Sequence, residues 1–311
     1  MQGPWSLSAV IPTYDRAPVL ERAIDSVLAQ NRRPNEIIVV DDGSSDNTHE
    51  VVARYGRTIR FIRKENGGVS TARNAGVRES TSDFIAFLDS DDFWYPDHLA
   101  RIEDAIVSTR GSAGLYFSDL ELAPSRGGGS AWHLSGFSID GSYELRQDAR
   151  PWVSLDFQPM TIQASAARRD AYIAAGGCNP SLRCREDTHL FFKLGLSTSM
   201  CAVAGCAGVL AGDGADSLTT TFSSAHETYW RCTAWLYDNV LEEAGDRLTV
   251  EQRRALASRL ADAHWMLAMS SGAGSPGKAL HHLQHAIRHD PSLVPRRVAR
   301  RLARVPRSAP R

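Results

Sequence analysis

The chain has 311 residues, of which 42% are hydrophobic, and a formal net charge of −1. This length suffices for one large domain with an elaboration or for two domains, and the near-zero charge gives no overall attraction to nucleic acid. No apolar run reaches the length of a membrane-spanning helix, and the N-terminal residues lead into a strand pattern rather than a signal sequence. The five cysteines form no Cys-x-x-Cys pair, so we expect reduced thiols in a cytoplasmic protein.

The first 124 residues alternate strand and helix patterns. Apolar runs predict strands at residues 7–12, 36–40, 59–62, 84–88 and 115–122. Helical patterns separate them, and Ser70 is predicted to cap the helix that follows the Gly67-Gly68 turn. Repeated strand–helix units of this length predict an α/β fold with a mostly parallel sheet flanked by helices.

Three of these strands end in polar residues, at positions 13–15, 41–42 and 89–92. Open α/β sheets bind ligands at the carboxyl ends of their strands, so these residues predict a ligand site. Asp89, Asp91 and Asp92 repel each other unless a cation or hydrogen-bond donors compensate them. A hard divalent ion with oxygen ligands would do so. The alternative is an acidic turn that caps the next helix.

The rest of the chain is less regular. A break with three consecutive glycines lies at residues 125–130, and a helical pattern follows at residues 186–196. Beyond residue 222 the pattern is helical. We therefore expect one domain at residues 1–222, in two halves (1–124 and 125–222), and a helical C-terminal region at residues 223–311.

Several segments together resemble glycosyltransferase family 2: residues 10–16, 36–44, 66–76, 87–95, 176–180 and 185–187. The likeness spans roughly residues 7 to 220 and implies a GT-A fold, with a nucleotide-sugar half at residues 1–124 and an acceptor half at residues 125–222. It also implies a hexosyltransferase that moves a sugar from a nucleotide-diphosphate donor to a glycan, a lipid-linked glycan or a small molecule. By family habit the donor would carry uridine or deoxythymidine.

The resemblance implies a donor site at one edge of the sheet, formed by Pro12, Thr13, Tyr14, Asp42, Arg73, Asp89 and Ser90. It makes Asp91 the ligand of Mn²⁺ or Mg²⁺, because a metal held by one or two carboxylates can neutralise a pyrophosphate. Alternatives remain open from the residues alone. Asp41 could replace Asp42, Tyr14 could be a core aromatic, and Arg73 could be an exposed helical residue. Asp92 could assist the metal or cap a helix.

Glu186 and Asp187 are the implied catalytic pair. The resemblance makes Asp187 the general base that takes the proton of the acceptor hydroxyl, with inversion at the anomeric carbon, and makes Glu186 an acceptor contact. The alternative is that both acids stabilise the N-terminus of the following helix through its dipole. Many relatives carry Tyr-Arg before the segment that matches residues 216–219, whereas this chain has Ala211-Gly212.

Two other function classes remain as alternatives. One is a non-catalytic nucleotide-sugar-binding module whose helices recruit a partner. The other is a sugar nucleotidyltransferase, which normally has a glycine-rich basic loop after the first strand, and residues 12–17 do not form such a loop.

The C-terminal region has two further features. The last stretch carries seven arginines without an acid: Arg296, Arg297, Arg300, Arg301, Arg304, Arg307 and Arg311. Such a segment can contact an anionic membrane surface, here the inner face of the membrane. The alternative is a solvated terminus. The spacing of His281, His285 and His289 puts them on one helical face, opposite the apolar stripe of Leu280, Leu283, Ala286 and Ile287. We expect an exposed polar face there rather than a zinc site.

Overall fold

A computed structural model of the protein describes residues 4–212, 226–271, 275–293 and 295. The chain divides into two compact units, Met1–Ser217 and Leu218–Arg311. The domain boundary expected after residue 222, the segment 216–219 and the arginine-rich tail from Arg296 lie outside the described residues. Within the described ranges, no helix is both long and apolar enough to cross a bilayer.

The first unit contains nine strands and eight helices within its described residues. The strands are β1 (Leu7–Thr13), β2 (Glu36–Asp41), β3 (Arg60–Arg63), β4 (Phe84–Phe87), β5 (Phe93–Trp94), β6 (Leu115–Leu122), β7 (Tyr143–Arg146), β8 (Ser165–Arg168) and β9 (Met200–Leu210). The helices are α1 (Ala17–Leu28), α2 (Thr48–Ala53), α3 (Val69–Glu79), α4 (His98–Ser108), α5 (Ala131–Ser135), α6 (Arg150–Val153), α7 (Arg169–Ala174) and α8 (Glu186–Ser197).

The sheet has the strand order β3-β2-β1-β4-β8-β6-β9-β5, with β7 paired to β9. Strands β3, β2, β1 and β4 are parallel, as their alternation with helices predicts. Thr13 of β1 lies beside Asp41 of β2, so the polar residues that follow these two strands emerge at the same edge. The five strands predicted from the sequence are therefore confirmed, and so is their shared polar edge.

The second half of this unit completes the same sheet. Strand β8 comes late in the chain yet inserts between β4 and β6, antiparallel to both. It has only four residues, Ser165 to Arg168, and lacks the apolar run of a buried strand. The sequence pattern did not predict it. Its position matters because it brings the segment before it against the end of β4, where Asp89 lies.

Helix α3 lies very close to β1. A Cβ atom on Gly76 would stand 2.4 Å from Val10 Cγ1, so only glycine allows this approach. The prediction that Ser70 caps α3 is wrong. The residue at the N-cap is Gly68, with a φ of 86°, and Ser70 is already inside the helix. A left-handed turn is cheap for glycine, and it lets α3 begin directly after the loop.

The second unit contains the helices α9 (Glu227–Ala244), α10 (Val250–Ser271) and α11 (Pro276–His289) within its described residues. Helix α10 contacts both of the others. The prediction for α11 is correct only in part. Ala286 of its apolar stripe is buried and His281 is exposed, as expected. Leu280 and Ile287 of the same stripe are 58% and 43% exposed, however, and His285 and His289 are half-buried.

Candidate active site

The loops after β1 and β2 are joined by hydrogen bonds. The backbone N–H of Asp42 donates to the carbonyl of Thr13 at 2.9 Å. Asp15 adopts a φ of 49°, and its carboxylate accepts from the backbone N–H groups of Ser45 and Asp46 at 2.7 and 3.2 Å. A positive φ is uncommon outside glycine, although aspartate tolerates it better than most residues. These contacts fix the two loops as one surface.

Of the first predicted donor residues, two are buried and one is exposed. Pro12 and Thr13 lie at the buried end of β1, and the Thr13 hydroxyl has no hydrogen-bond partner in the described part of the chain. Tyr14 is 47% exposed, so its ring is not a core aromatic. An exposed aromatic ring is suited to stacking on a planar ligand.

Asp42 holds the turn before α3. Its carboxylate accepts from the backbone N–H of Gly68 at 2.7 Å and of Gly67 at 3.1 Å, and also from the ammonium of Lys64. Asp42 is only 3% exposed. The neighbouring Asp41 accepts from the backbone N–H of Ser44 at 2.8 Å. Asp42 therefore orders the glycine turn, and most of its acceptor capacity is used within the protein.

Arg73 is 2% exposed, which rules out the alternative of an exposed helical arginine. Its Nη2 donates to Asp89 Oδ1 and its Nη1 to Glu186 Oε1, each at 2.7 Å. Burial lowers the pKa of Arg73, but Asp89 and Glu186 outweigh burial and raise it. One buried cation thus joins an acid at the end of β4 to an acid at the start of α8.

Asp89 is held on both oxygens. Its Oδ1 accepts from Arg73, and its Oδ2 accepts from Nε2 of Gln163 at 2.6 Å. The backbone carbonyl of Gln163 in turn accepts from Nε1 of Trp94 at 2.7 Å. Gln163 lies in a single turn just before β8, where no sequence motif indicates a functional residue. Sequence reasoning missed it for that reason.

Asp91 and Ser90 follow Asp89. Ser90 is buried and Asp91 is half-buried. Burial, and then the charge of Asp89, raise the pKa of Asp91. No other residue in the described ranges donates a hydrogen bond to the Asp91 carboxylate, whose oxygens therefore remain available as ligands. Three acidic, histidine or cysteine side chains do not converge on one point among the described residues. Magnesium-type sites need only one or two carboxylates, because phosphates and waters complete them.

Asp92 does not cap a helix. Helix α4 begins at His98 after Asp97, whereas Asp92 Oδ1 accepts from the backbone N–H of Ala211 at 2.8 Å. Burial, followed by the charges of Asp89 and Asp91, raises the pKa of Asp92 well above its usual value. Asp92 therefore ties the acidic loop to Ala211, the residue that follows β9.

Glu186 and Asp187 are the first two residues of α8, as predicted. The preceding Arg185 has a φ of 68°, a strained conformation for a residue with a Cβ atom. Burial raises the pKa of Glu186, and Arg73 offsets this only in part. Asp187 is half-buried, and its Oδ1 accepts from the backbone N–H of Thr188 at 2.6 Å. Contact with its own helix terminus leaves the other carboxylate oxygen for a ligand.

The structure thus joins Arg73, Asp89 and Glu186 by direct contact, and Thr13 to Asp42 through the backbone. Within the described chain, no hydrogen bond links Asp42 to the Arg73 group. The predicted residues form two neighbouring parts of one sheet edge, one around the glycine turn and one around Arg73.

The sequence profile described as "Glycosyl transferase family 2" matches residues 8–116. An uncharacterized glycosyltransferase of Rickettsia conorii is 36% identical over 123 residues, which are 39% of this chain and 20% of that protein. The succinoglycan biosynthesis protein ExoW of Rhizobium meliloti is 39% identical over 121 residues, 37% of each chain. The chain therefore spans about a fifth to just over a third of the length of these relatives.

Two solved structures share the fold over most of the chain. Staphylococcus aureus TarS 1–349 in complex with UDP-GlcNAc has a TM-score of 0.71 at 16% identity, covering 93% of this chain and 82% of that one. The mannosyltransferase PcManGT of Pyrobaculum calidifontis, in complex with GDP-Man and Mn²⁺, has a TM-score of 0.53 at 18% identity, covering 94% and 86%. The expected GT-A fold is confirmed. Residues 8–116 are similar in sequence to glycosyltransferase family 2.

Proposed function

We propose that this protein is a metal-dependent, inverting glycosyltransferase that uses a nucleotide-diphosphate sugar and a hydroxyl acceptor. The position of one side chain carries the proposal: Arg73 donates to Asp89 and to Glu186, each at 2.7 Å. Asp89 belongs to the donor edge of the sheet, and Glu186 stands beside Asp187 at the start of α8. One guanidinium contacts both Asp89 and Glu186, and Asp187 is the residue after Glu186. The acid proposed to bind the donor and the proposed base therefore lie in one small region.

The donor half has groups suited to a sugar nucleotide. The exposed ring of Tyr14 and the end of β1 at Pro12 and Thr13 offer a surface for the base. Since the Asp42 carboxylate already accepts three donors within the protein, we propose that its contribution to base binding is mainly to shape the Gly67-Gly68 turn. Asp89 and Ser90 would then face the ribose and the transferred sugar.

Asp91 fits a divalent ion. No other described residue donates a hydrogen bond to its carboxylate, and burial and the charge of Asp89 raise its pKa more than Arg16 and Arg126 lower it. A bound cation would therefore stabilise the charged form. A bound Mn²⁺ or Mg²⁺ would neutralise the pyrophosphate so that the nucleoside diphosphate can leave. PcManGT, in complex with GDP-Man and Mn²⁺, supports this assignment by fold similarity.

Residues of the protein itself remove the proton of the acceptor hydroxyl in the proposed reaction. The acceptor oxygen forms a bond to the anomeric carbon as the bond from that carbon to the phosphate oxygen breaks, and the nucleoside diphosphate leaves with the electron pair. Asp187 takes the hydroxyl proton, since one of its oxygens is free of the helix terminus. Glu186, held by Arg73, would orient the acceptor. Attack opposite the leaving group inverts the anomeric centre.

The nucleobase of the donor is proposed to be uracil or thymine. The family resemblance favours it, and so does TarS, which was solved with UDP and with UDP-GlcNAc. The acceptor is proposed to be a hydroxyl of a glycan, a lipid-linked glycan or a small molecule. For the arginine-rich tail, contact with an anionic membrane surface remains a proposal.

A thermal-shift screen tests the proposed function. Nucleoside diphosphates and their sugar derivatives would be added to the full chain with Mg²⁺, with Mn²⁺ and with a chelator. Ligand binding to the native state raises the midpoint, so we expect stabilisation by one donor class that requires the metal. The same donor should be turned over by the wild type and not by Asp91→Asn. Tight binding without any turnover would instead favour a binding module, and no stabilisation by any nucleotide would reject both.

A further inference from the structure

Five histidines come together in the second unit, and none of them has a role in the proposed reaction. Helix α11 contributes His281, His282, His285 and His289, and helix α10 contributes His264. The His264 ring centroid lies 5.3 Å from that of His282, 4.8 Å from His285 and 6.4 Å from His289. His281 lies 4.6 Å from His285. We call these five residues the histidine cluster.

The histidine cluster takes part of the surface where α11 meets α10. The apolar stripe of α11 is divided there: Ala286 is buried with Ala261, whereas Leu280 and Ile287 are exposed. His282, His285 and His289 are half-buried and approach His264. Burying imidazoles in part costs them hydration, and a ligand shared between them would compensate for that cost.

The spacing of the rings fits a shared cation. Nδ1 of His264 lies 3.0 Å from Nδ1 of His282. Two nitrogens bound to one tetrahedral Zn²⁺ at about 2.0–2.1 Å would stand roughly 3.3 Å apart. His281 and His285 are four residues apart on one helix, as are His285 and His289, and this spacing places two imidazoles over the same turn.

We propose that His264, His282 and His285 bind a borderline transition-metal ion, such as Zn²⁺, Ni²⁺ or Cu²⁺. Three imidazoles leave a fourth position for water, His281 or His289, and nitrogen ligands select these metals over Mg²⁺ and Mn²⁺. Among the described residues, three ligating groups do not yet point at one centre. Rotation of the half-buried His285 ring about its side-chain torsions would therefore complete the site.

Such an ion would join α10 to α11. The two helices also share a small apolar contact in which Ala261 packs with Ala286 and Leu293. A link at His264 would add a second fixed point along the same pair of helices. The proposal is independent of the glycosyltransferase reaction, because it uses none of the residues assigned there.

Zinc titration of the full chain tests the proposal. Protein freed of metal with a chelator would be titrated with Zn²⁺ by calorimetry in excess Mg²⁺, which occupies sites built from oxygen. We expect one Zn²⁺ per chain, with affinity reduced at least about tenfold in His264→Gln and in His285→Gln. The matched control is His133→Gln, an exposed histidine of the first unit, which should bind as the wild type does.

Two further measurements keep the test decisive. The double variant Cys184→Ser, Cys206→Ser removes the two half-buried thiols and should leave zinc binding unchanged. The electron paramagnetic resonance spectrum of Cu²⁺ in wild-type protein should show nitrogen ligands, without requiring a variant to fold. Absence of zinc binding by the wild type, wild-type affinity in both histidine variants, or a copper spectrum without nitrogen would each overturn the proposal.

Discussion

Arg73 donates to Glu186 Oε1 at 2.7 Å across 113 positions of sequence, and both side chains are almost fully buried. The same guanidinium compensates Asp89, so removing it leaves two acids near each other without their cation. A buried charge that has lost its partner is far more costly than an exposed one. The stability of this edge of the sheet should therefore depend on Arg73.

We expect Arg73→Ala to lower the free energy of unfolding by about 3–5 kcal/mol, the usual effect of breaking a buried ion pair. Urea unfolding measures the change. Arg78→Ala is the matched control, because Arg78 lies on the same helix with an exposed side chain. That control should change stability by no more than about 0.5 kcal/mol. Equal effects of the two substitutions would show that the bridge does not stabilise the fold.

The proposed base leads to a second prediction. Asp187→Asn should reduce turnover at saturating donor by about 10²- to 10⁴-fold, because an amide cannot accept the acceptor's proton. Donor affinity should stay close to that of the wild type. Asp170→Asn is the control, since Asp170 is likewise the second residue of a helix but is exposed. Normal turnover in Asp187→Asn would reject Asp187 as the base.

Gln163 should act as a positioning residue for Asp89. In Gln163→Leu the Asp89 carboxylate loses the donor at 2.6 Å, and a hydrogen bond to a charged group contributes about 1.5–3 kcal/mol. We expect donor KM to rise by about tenfold or more, with a smaller change in kcat. Gln163→Glu places a second acid beside Asp89 and should have a larger effect. If Gln163→Glu behaves like Gln163→Leu, the contact does not set the position of Asp89.

The parts of this site that depend on residues close together in sequence were predictable, and the parts that depend on contacts between distant segments were not. Strand ends and their polar residues are local patterns, so the edge formed by Thr13 and Asp41 was predictable. Contacts between distant segments leave no such pattern, and Gln163 reaches Asp89 only because β8 inserts beside β4. The face of α11 was predicted only in part: Ala286 is buried as its apolar stripe indicates, but apolar periodicity alone cannot show that imidazoles also approach the neighbouring helix.

The loop before α8 gives a stability prediction. Gly177 has a φ of 67°, and an added Cβ atom would stand 2.5 Å from Asn74 Oδ1. That oxygen accepts from the Tyr172 hydroxyl and from the backbone N–H of Cys178, so it cannot move away cheaply. Gly177→Ala should therefore lower the melting temperature well beyond the effect of a positive φ alone. Gly141→Ala is the control, with a φ of 85° and open space around it. Equal decreases in melting temperature in the two variants would mean that the structure accommodates the added methyl group at residue 177 without a steric clash.

His98 predicts how stability depends on pH. It is fully buried, and burial, with a smaller contribution from Arg101, lowers its pKa from 6.5 to about 3. Between these two values the unfolded chain binds a proton that the native state excludes, so the free energy of unfolding falls as the pH falls. A single group of this kind changes it by about 1.4 kcal/mol per pH unit below 6.5.

His98→Gln removes this titration while keeping a polar side chain. We therefore expect the variant to lose less stability than the wild type between pH 7 and pH 5, when both are measured by urea unfolding. Other acids titrate in the same way in both proteins, so the difference in slope isolates His98. His49→Gln, at an exposed position, should retain the wild-type slope. Parallel curves for wild type and His98→Gln would show that the buried imidazole accepts its proton without opening the core.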